Sequence, residues 1–236
     1  MPSEHTLLVE GESDLHAVRN LVYTHDILVH YDQDIDSPGL DSCAFEIKTV
    51  DSDDTSGGQS KFPRAVKSHL ALQDLQTLGI VADADDDFPG SWEARVNELL
   101  LFEEDRVFTS LEDYDVRNGW IDQTRNQIGD SVRVGVWIMP DNESRGALEE
   151  FAMELVPEDD ELWGYSDEVI EGLPERRFDP NDEGKAHIHT WLAWQQTPRE
   201  PIGRALTQGV LAPESALALR FVDWVRRLFP TLETRA

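Results

Sequence analysis

The sequence predicts an α/β protein with a mainly parallel central sheet flanked by helices, followed by a helical C-terminal extension. Over residues 5–156, short apolar runs typical of buried strands alternate with amphipathic helical segments, a pattern that favours right-handed βαβ units. Three of the apolar runs end in acidic residues. Strand patterns become scarce after residue 156. We therefore predict a core at 1–156 and a mostly helical extension at 157–236 that packs on it.

The N-terminal part of the predicted core alternates strands with helices. The strands are apolar runs without internal proline, and the helices carry apolar residues at helical spacing. Two stretches rich in Asp and Gly are predicted to be loops, because these residues favour turns. The predicted strands are 5–10, 25–29, 43–50 and 78–83, the helices are 13–23, 62–76 and 92–102, and the loops are 31–42 and 51–60.

The C-terminal half contains one more convincing strand, which stops at Pro140, because proline cannot donate to a sheet ladder. Within 103–130 only a short strand at 106–110 is suggested. A long acidic connection is expected at 157–184, and the other elements are helical. The strand is 132–139, and the helices are 146–156, 185–195, 202–208 and 214–229.

The composition is strongly acidic. Asp and Glu total 48 of 236 residues against 20 Lys and Arg, of which four are Lys, and the formal net charge is −28. Such a charge keeps a protein soluble, and adaptation to a salty cytoplasm is an alternative explanation, because molar salt shortens the Debye length to about 3 Å. The charge argues against a chain that grips DNA alone through a basic groove.

Several functional classes are excluded by what the sequence lacks. No apolar stretch is long enough for a membrane span, and no Gly-rich loop with Lys-Ser/Thr indicates a P-loop ATPase. There is no nucleophile elbow and no Cys/His zinc pattern. The single cysteine, Cys43, cannot form an internal disulfide, which fits a reducing cytoplasm. We predict a cytoplasmic protein.

The first acidic motif follows the first predicted strand. Glu10 stands at the strand end, Gly11 permits a tight turn and a close approach of a ligand, and Asp14 begins the next helix. The helix N-terminus adds partial positive charge that suits a phosphate. The alternative is an ordinary strand-to-helix turn in which Asp14 is the helix cap.

The second acidic motif is Asp83-Ala84-Asp85, followed by Asp87. In an extended chain, alternation places the Asp83 and Asp85 side chains on the same side. Mg²⁺ commonly binds one or two carboxylates together with water and phosphate oxygens. Two such ions can stabilise both the attacking and the leaving oxygen when a phosphodiester bond is broken. The alternative is an acidic loop that arises from the composition.

Three further residues are weaker candidates. Asp141 lies at the tip of the strand that stops at Pro140, and Glu149 lies near the start of the following helix. A Pro-Asp turn followed by a helix with an early Glu explains both equally well. Lys185 could neutralise charge that develops on a phosphoryl group, and its alternative is a solvated side chain at a helix start.

These motifs together resemble the Toprim domain, which is found in topoisomerases, bacterial primases, small RNA-maturation nucleases and overcoming-lysogenization-defect nucleases. The acids shared by that family correspond here to Glu10, Asp83 and Asp85. The resemblance implies a compact α/β sheet and Mg²⁺-dependent phosphoryl chemistry on nucleic acid. Similar nucleases are often coupled to a separate ATPase, sometimes in phage defence, so the resemblance also implies an ATPase partner.

More narrowly, the chain resembles a little-characterised group of prokaryotic Toprim-like proteins. The similarity spans nearly the whole chain, and its C-terminal part is weak. The matching segments are Val9-Glu10-Gly11 with Asp14, Asp83-Ala84-Asp85, Met139-Pro140-Asp141-Asn142 with Gly146 and Leu148-Glu149, and Lys185-Ala186 with Leu192-Ala193. No basic surface is evident from the composition, which is a departure from the nuclease relatives.

The function predicted from the sequence is a Mg²⁺- or Mn²⁺-dependent phosphodiesterase that acts on DNA or RNA. Its inner metal ligands would be three acids at strand ends, and other acids would bind a second metal or hold water, with Gly11 and Asp14 near the bound phosphate. The inner ligands are Glu10, Asp83 and Asp85, the outer acids are Asp14, Asp87, Asp141 and Glu149, and Lys185 would neutralise charge in the transition state.

Two other functions remain open at this stage. One is a non-catalytic Toprim-like module that binds a metal-nucleotide or a partner protein, which the charge of −28 favours. The other is a sugar-nucleotide transferase that uses Asp-x-Asp with a metal. Nucleic acid, a separate ATPase and a second copy of the chain are the partners considered. The nuclease prediction requires Glu10 to lie close to the Asp83/Asp85 pair, with no arginine neutralising either.

Overall fold

A six-stranded sheet forms the centre of the protein in the computed structural model, which describes residues 4–31, 43–50, 61–103, 115–198 and 200–230. The strand order is β2-β3-β1-β4-β6-β5, and every neighbouring pair is parallel except β5 with β6. The strands are β1 His5–Val9, β2 Val29–His30, β3 Phe45–Thr49, β4 Thr77–Asp83, β5 Trp120–Arg125 and β6 Ser131–Met139.

Helices cover both faces of the sheet. One face carries α2 and α3, and the other carries α1 together with α4, α6, α7 and α8. The helices are α1 Glu12–Thr24, α2 Phe62–Leu70, α3 Phe88–Leu99, α4 Leu148–Met153, α5 Glu161–Glu171, α6 Glu183–Ala193, α7 Ile202–Thr207 and α8 Ala216–Leu228. The predicted fold class is confirmed: an α/β protein with a mostly parallel sheet and C-terminal helices.

The strands supply two separate cores because successive side chains point to opposite faces. In β1, Leu7 and Val9 face the core that contains α1 and α8, whereas Leu8 faces the core that contains α2 and α3. The central strands are therefore apolar on both faces, as parallel strands covered on both sides generally are. This two-sided burial explains why the strands were readable from the sequence as continuous apolar runs.

Two paired glycines let the last helix lie close to the sheet. Gly79 on β4 is the register partner of Gly135 on β6. A Cβ atom at either position would lie 2.8 Å or 2.9 Å from a Leu228 methyl carbon of α8. The missing side chains thus make room for α8, which ties the C-terminal helices into the same core as α1.

Some predicted boundaries were wrong. The second helix ends at Leu70 rather than at 76, because the chain then turns so that the Thr77 amide can bond to the Glu4 carbonyl and begin β4 beside β1. The third helix starts at Phe88 rather than at 92, since the Asp87 side chain caps it by accepting a hydrogen bond from the Gly90 amide. Pro89 fits this first turn, where no amide donor is needed.

Two elements were not predicted. Strand β5 lies at the antiparallel edge of the sheet, and only Trp120 and Thr124 of its six residues are buried, so its sequence looks polar. Helix α5 falls in the expected long connection; Asp160 caps it, and only Ser166 and Ile170 are buried. Both elements are largely exposed, and exposed elements leave little hydrophobic periodicity in a sequence.

The other predicted strands and loops can be compared with the structure only in part. The first short strand is confined to Val29–His30 rather than 25–29. The predicted loop at 51–60 and the predicted strand at 106–110 lie outside the described residues, as does the predicted loop at 31–42 apart from Tyr31. Within the described ranges, no helix is long and apolar enough to span a membrane.

Candidate functional site

Glu10 and Asp83 lie at the carboxyl ends of two neighbouring strands, β1 and β4. Strands β1 and β4 are neighbours and parallel, and Val9 is paired with Val81. The chain leaves β1 into α1 on one face, and it leaves β4 towards α3 on the other. In open α/β sheets, ligands commonly bind where the chain diverges in this way at the carboxyl ends of the strands, and we call this place the crevice.

Glu10 and Asp83 are in direct contact across this crevice. The backbone amide of Asp83 donates a hydrogen bond of 3.4 Å to Glu10 Oε2. Glu10 directly follows β1, and Asp83 is the last residue of β4. The parallel register therefore brings together two acids that are 73 positions apart in the chain, and the proximity that the sequence prediction required is present.

Asp83 lies in a concentrated negative field. Burial, together with the charges of Asp14, Glu10, Asp85 and Glu149, raises its pKa to about 9. Its Oδ1 atom is buried and has no hydrogen-bond partner among the described residues. A buried carboxylate oxygen that has no donor and is surrounded by like charges is a position where a cation would be stabilised.

Asp14 belongs to the same cluster and also has a local role. Its Oδ2 atom accepts a hydrogen bond of 3.1 Å from the Gly11 amide at the start of α1. Burial, together with the charge of Glu10, raises its pKa to about 6, although the backbone hydrogen bonds oppose this shift. The capping role that was an alternative explanation is thus present, and it coexists with proximity to the acids.

Asp85 connects the second acidic motif to the loop before α4. Its backbone forms a two-bond bridge with Gly146, in which each amide donates to the other residue's carbonyl at 2.9 Å and 2.8 Å. Asp85 adopts a left-handed backbone with φ of 48°, and Gly146 has φ of 130°. The bridge holds the start of α4, and hence Glu149, near the carboxyl end of β4, where the Glu149 charge acts on Asp83 and Asp14.

Lys185 lines a cavity next to the acids. The cavity has a volume of about 570 Å³, and Asp85, Asp86, Arg145 and Lys185 are among its lining residues. Lys185 Nζ forms an ion pair of 3.1 Å with Asp182 Oδ1, and about half of the lysine side chain is exposed. The hydrogen bond to Asp182 raises the pKa of Lys185, as do the charges of Glu149 and Asp83. The lysine is therefore a cation at neutral pH.

Asp87 and Asp141 have local structural roles. Asp87 caps α3 through the Gly90 amide at 3.0 Å. Asp141 Oδ1 accepts hydrogen bonds from the amides of Glu143 and Ser144, and its Oδ2 accepts one from the Ser144 hydroxyl at 3.1 Å. Both side chains are engaged within their own turns, and their proposed role as outer metal ligands stays a prediction.

A buried arginine also lies near the cluster. The Arg95 side chain on α3 packs over the Phe62 ring at 4.6 Å and forms a 2.7 Å ion pair with Glu98. Burial lowers the pKa of Arg95, whereas Glu98 and, more weakly, Glu10 raise it. Arg95 thus pairs with Glu98 and contributes only a secondary field at Glu10. Arg95 therefore does not neutralise Glu10 or Asp83.

The fit of these residues to a divalent ion is partial. The donor set is made of carboxylate oxygens, which Mg²⁺ and Mn²⁺ prefer. Asp83 Oδ1 has no hydrogen-bond donor among the described residues, and the negative charges of the cluster act on Asp83. However, among the residues that the structure describes, no three His, Cys, Asp or Glu side chains are already arranged to hold a metal ion.

Two further residues near the site were given no role of their own in the sequence prediction. Asn142 is fully buried, has φ of 65°, and accepts the Ile138 amide on Oδ1 at 2.7 Å, which shapes the turn after β6. Arg145 lines the same cavity as Lys185. The available signal was the Asp-Asn pair that follows Pro140 at the end of β6, because Asn tolerates the left-handed conformation.

Comparison with known proteins gives a family but no activity. The family described as "Protein of unknown function (DUF3226)" matches residues 4–230. No curated protein and no solved structure matches the chain.

Proposed function

We propose that this chain, which belongs to the DUF3226 family, is a divalent-metal-dependent phosphodiesterase that cleaves nucleic acid. The observation that carries the proposal is the Asp83 carboxylate. Its Oδ1 is buried without a donor, and four neighbouring carboxylates raise its pKa. Evolution of such an unfavourable arrangement is most simply explained by a positive charge that is bound during function.

The acids divide into two groups by position. Glu10 and Asp83 are in contact at the floor of the crevice and would hold a Mg²⁺ or Mn²⁺ ion. Asp85, Asp14 and Glu149 surround them closely enough for their charges to act on Asp83 and would orient water or a second ion. When bound, such ions supply a polarised phosphoryl group and an activated nucleophile.

Two basic side chains lie where a substrate phosphate would bind in this proposal. Lys185 and Arg145 line the cavity next to Asp85, where a phosphate group could receive their hydrogen bonds. Lys185 stays protonated at neutral pH and can stabilise the charge that develops on a phosphoryl oxygen. Asp14, with a pKa of about 6, is the member of the cluster best suited to exchange a proton near neutral pH.

The compatible fold and the order of the acidic motifs also support a Toprim-like nuclease that works in the cytoplasm with a separate ATPase. Because an acidic chain repels a nucleic acid, a partner that supplies a basic surface would offset the net charge of −28. This part of the proposal depends on the resemblance rather than on contacts.

One second candidate is favoured by a specific observation. The net charge of −28 suits a non-catalytic module that binds a metal-nucleotide, because an acidic chain repels a polyanionic nucleic acid. Such a module would need the same acids but would leave nucleic acid intact.

The test is cleavage of plasmid, single-stranded DNA and RNA with Mg²⁺ or Mn²⁺, over a range of salt concentrations. We expect metal-dependent cleavage that Glu10→Gln and Asp83→Asn each abolish. The matched controls Glu93→Gln and Asp74→Asn change exposed acids away from the crevice and should retain activity. Cleavage that survives both crevice substitutions would overturn the assignment of the acids. Metal binding without cleavage of any substrate would favour the non-catalytic module.

A further inference from the structure

A second cavity, of about 620 Å³, lies between α1, α7 and the segment around β2. Its volume is within the range of ligand pockets, which is about 300–1,000 Å³. Tyr23, Tyr31 and Leu28 form an aromatic and aliphatic part, whereas Arg19 and Arg204 supply basic groups. The pocket thus combines surfaces for a flat ring with donors for an anion.

The charge of this cavity is opposite to that of the whole chain. The protein has 48 acidic residues against 20 Lys and Arg, yet none of the described residues that line the cavity carries a carboxylate. Arg204 does form an ion pair of 3.1 Å with Glu200. Two arginines and no carboxylate among the described lining residues suit a negatively charged ligand.

Arg19 is held in place without an ion pair among the described residues. Its Nε atom donates to Asn20 Oδ1 at 2.8 Å, and its guanidinium lies 4.5 Å from the centre of the Tyr31 ring. Asn20 in turn donates from Nδ2 to the Gly203 carbonyl at 2.7 Å, which anchors it to α7. These contacts use Nε and the face of the guanidinium, so the terminal nitrogens can bind a phosphate in a forked geometry.

A smaller cavity adjoins this one near the acidic cluster. It has a volume of about 250 Å³, shares His16 and Pro201 with the larger cavity, and is also lined by Ser13 and Glu149. Glu149 is one of the acids whose charge acts on Asp83. Along α1 the six-residue separation between Ser13 and Arg19 corresponds to about 9 Å, which is two to three nucleotides of a stacked strand at about 3.4 Å each.

We propose that the cavity between α1 and α7 binds a nucleotide that flanks the scissile phosphodiester. The base would lie against Tyr23 and Tyr31, and its phosphate would bind Arg19 and Arg204. Base–aromatic stacking with an arginine on the backbone is a sequence-tolerant way to hold a single strand. The position of this nucleotide next to a scissile bond rests on the proposed function. The capacity of the pocket to bind a nucleotide follows from its own lining residues.

The test measures binding of a 5′-phosphorylated tetrathymidylate and of free AMP by calorimetry in EDTA, where no cleavage can occur. We expect Arg19→Met to weaken tetranucleotide binding by about tenfold or more, because a charge-assisted fork is lost. The control Arg125→Met removes one exposed arginine of β5 and should change binding by no more than about twofold. Thermal melting of each variant checks the fold.

A second variant approaches the same pocket without touching the arginine. Thr207 is exposed at the cavity wall, so Thr207→Phe should fill the space, leave the fold intact and also abolish binding. If both Arg19→Met and Thr207→Phe bind as the unmodified protein does, the proposal is overturned. If AMP binds as tightly as the tetranucleotide, the pocket holds a free nucleotide and the strand-flanking role is overturned.

The outcome separates this inference from the proposed nuclease function. Binding that depends on Arg19 in a protein that cleaves nothing would support the pocket and reject the phosphodiesterase. Metal-dependent cleavage whose KM does not respond to Arg19→Met or Thr207→Phe would support the phosphodiesterase and reject the pocket.

Discussion

The Asp83 amide donates a hydrogen bond to Glu10 Oε2, and this 3.4 Å contact joins the ends of β4 and β1 at the centre of the sheet. It shows that the Glu10 carboxylate points across the crevice towards β4. The Asp83 side chain, at the same point, has an Oδ1 atom without a donor among the described residues. The Asp83 backbone thus donates to the Glu10 carboxylate, while the Asp83 side chain lies among other acidic groups.

The first prediction concerns stability and pH without metal. The pKa of Asp83 is raised from 3.8 to about 9 in the folded protein, so the folded state holds this proton more tightly than the unfolded state. The resulting stabilisation is complete below about pH 4 and is lost as the pH rises towards 9. Asp83→Asn removes this loss, so it should increase the free energy of unfolding at pH 8 but much less at pH 5.

The measurement is urea unfolding in EDTA at both pH values. One unit of pKa shift corresponds to about 1.4 kcal/mol, and coupling to the neighbouring acids reduces the net effect, so we expect a gain on the order of 1–3 kcal/mol at pH 8. The exposed-site control Asp74→Asn should show no such gain. An Asp83→Asn variant that is less stable than the original protein at pH 8 would contradict the assignment.

The second prediction concerns metal binding. Mn²⁺ or Mg²⁺ should raise the melting temperature, because an ion that binds only the folded state stabilises it by about 2.7 kcal/mol at a hundred times its Kd. Glu10→Gln and Asp83→Asn should each remove most of this shift. Scanning calorimetry with a metal titration is the measurement, and Glu93→Gln is the control. Equal metal-induced shifts in all four proteins would place the ion elsewhere.

The third prediction concerns Lys185. Its ammonium group lines the cavity next to Asp85 and is paired with Asp182. Lys185→Met should lower kcat by about 10–100-fold while the metal-induced melting shift is retained, because the lysine acts on the substrate and not on the ion. Lys185→Arg should recover part of the rate. The control is Lys67→Met, which changes an exposed lysine on α2.

Comparison of kcat with the metal-induced melting shift in Lys185→Met tests whether the lysine acts on the substrate. Loss of both kcat and the metal-induced shift in Lys185→Met would mean that the lysine supports the acids structurally. An unchanged kcat would mean that it is only a solvated side chain at the start of α6.

The fourth prediction concerns the contact between α1 and α7. A Cβ atom at Gly203 would lie 2.6 Å from the His16 carbonyl oxygen, which belongs to the backbone and cannot move aside. Gly203→Ala should therefore push the two helices apart and reduce the free energy of unfolding by about 1–3 kcal/mol.

The control for that prediction is another glycine in a helix. Gly164 lies in α5, and nothing would lie within 4 Å of a Cβ atom there. Gly164→Ala should stabilise the protein by about 0.5–1 kcal/mol, because alanine loses less backbone entropy on folding. Chemical denaturation measures both variants. A Gly203→Ala variant as stable as the original protein would show that the helices can separate without cost.

The central strands and their acids were accessible from the sequence because each leaves a continuous apolar run that ends in a charged residue. Strands β1, β4 and β6 were located to within a residue or two. The exposed elements β5 and α5 were missed, since a polar edge strand and a mostly solvated helix contain little periodic apolar signal. The end of α2 was misplaced because the turn into β4 depends on the Glu4 carbonyl, which belongs to a distant part of the chain.

By itself, the sequence determined the fold class and the identity of the strand-end acids, because burial on two faces and the 2.0 and 3.6 periodicities are local properties of the chain. Only the tertiary structure decided which acids meet. The order β1-β4 and its parallel register place Glu10 against Asp83, while Asp87 and Asp141 satisfy their own turns. The pocket around Arg19 was also decided at this level, because it exists only where α7 packs on α1, nearly two hundred residues later in the chain.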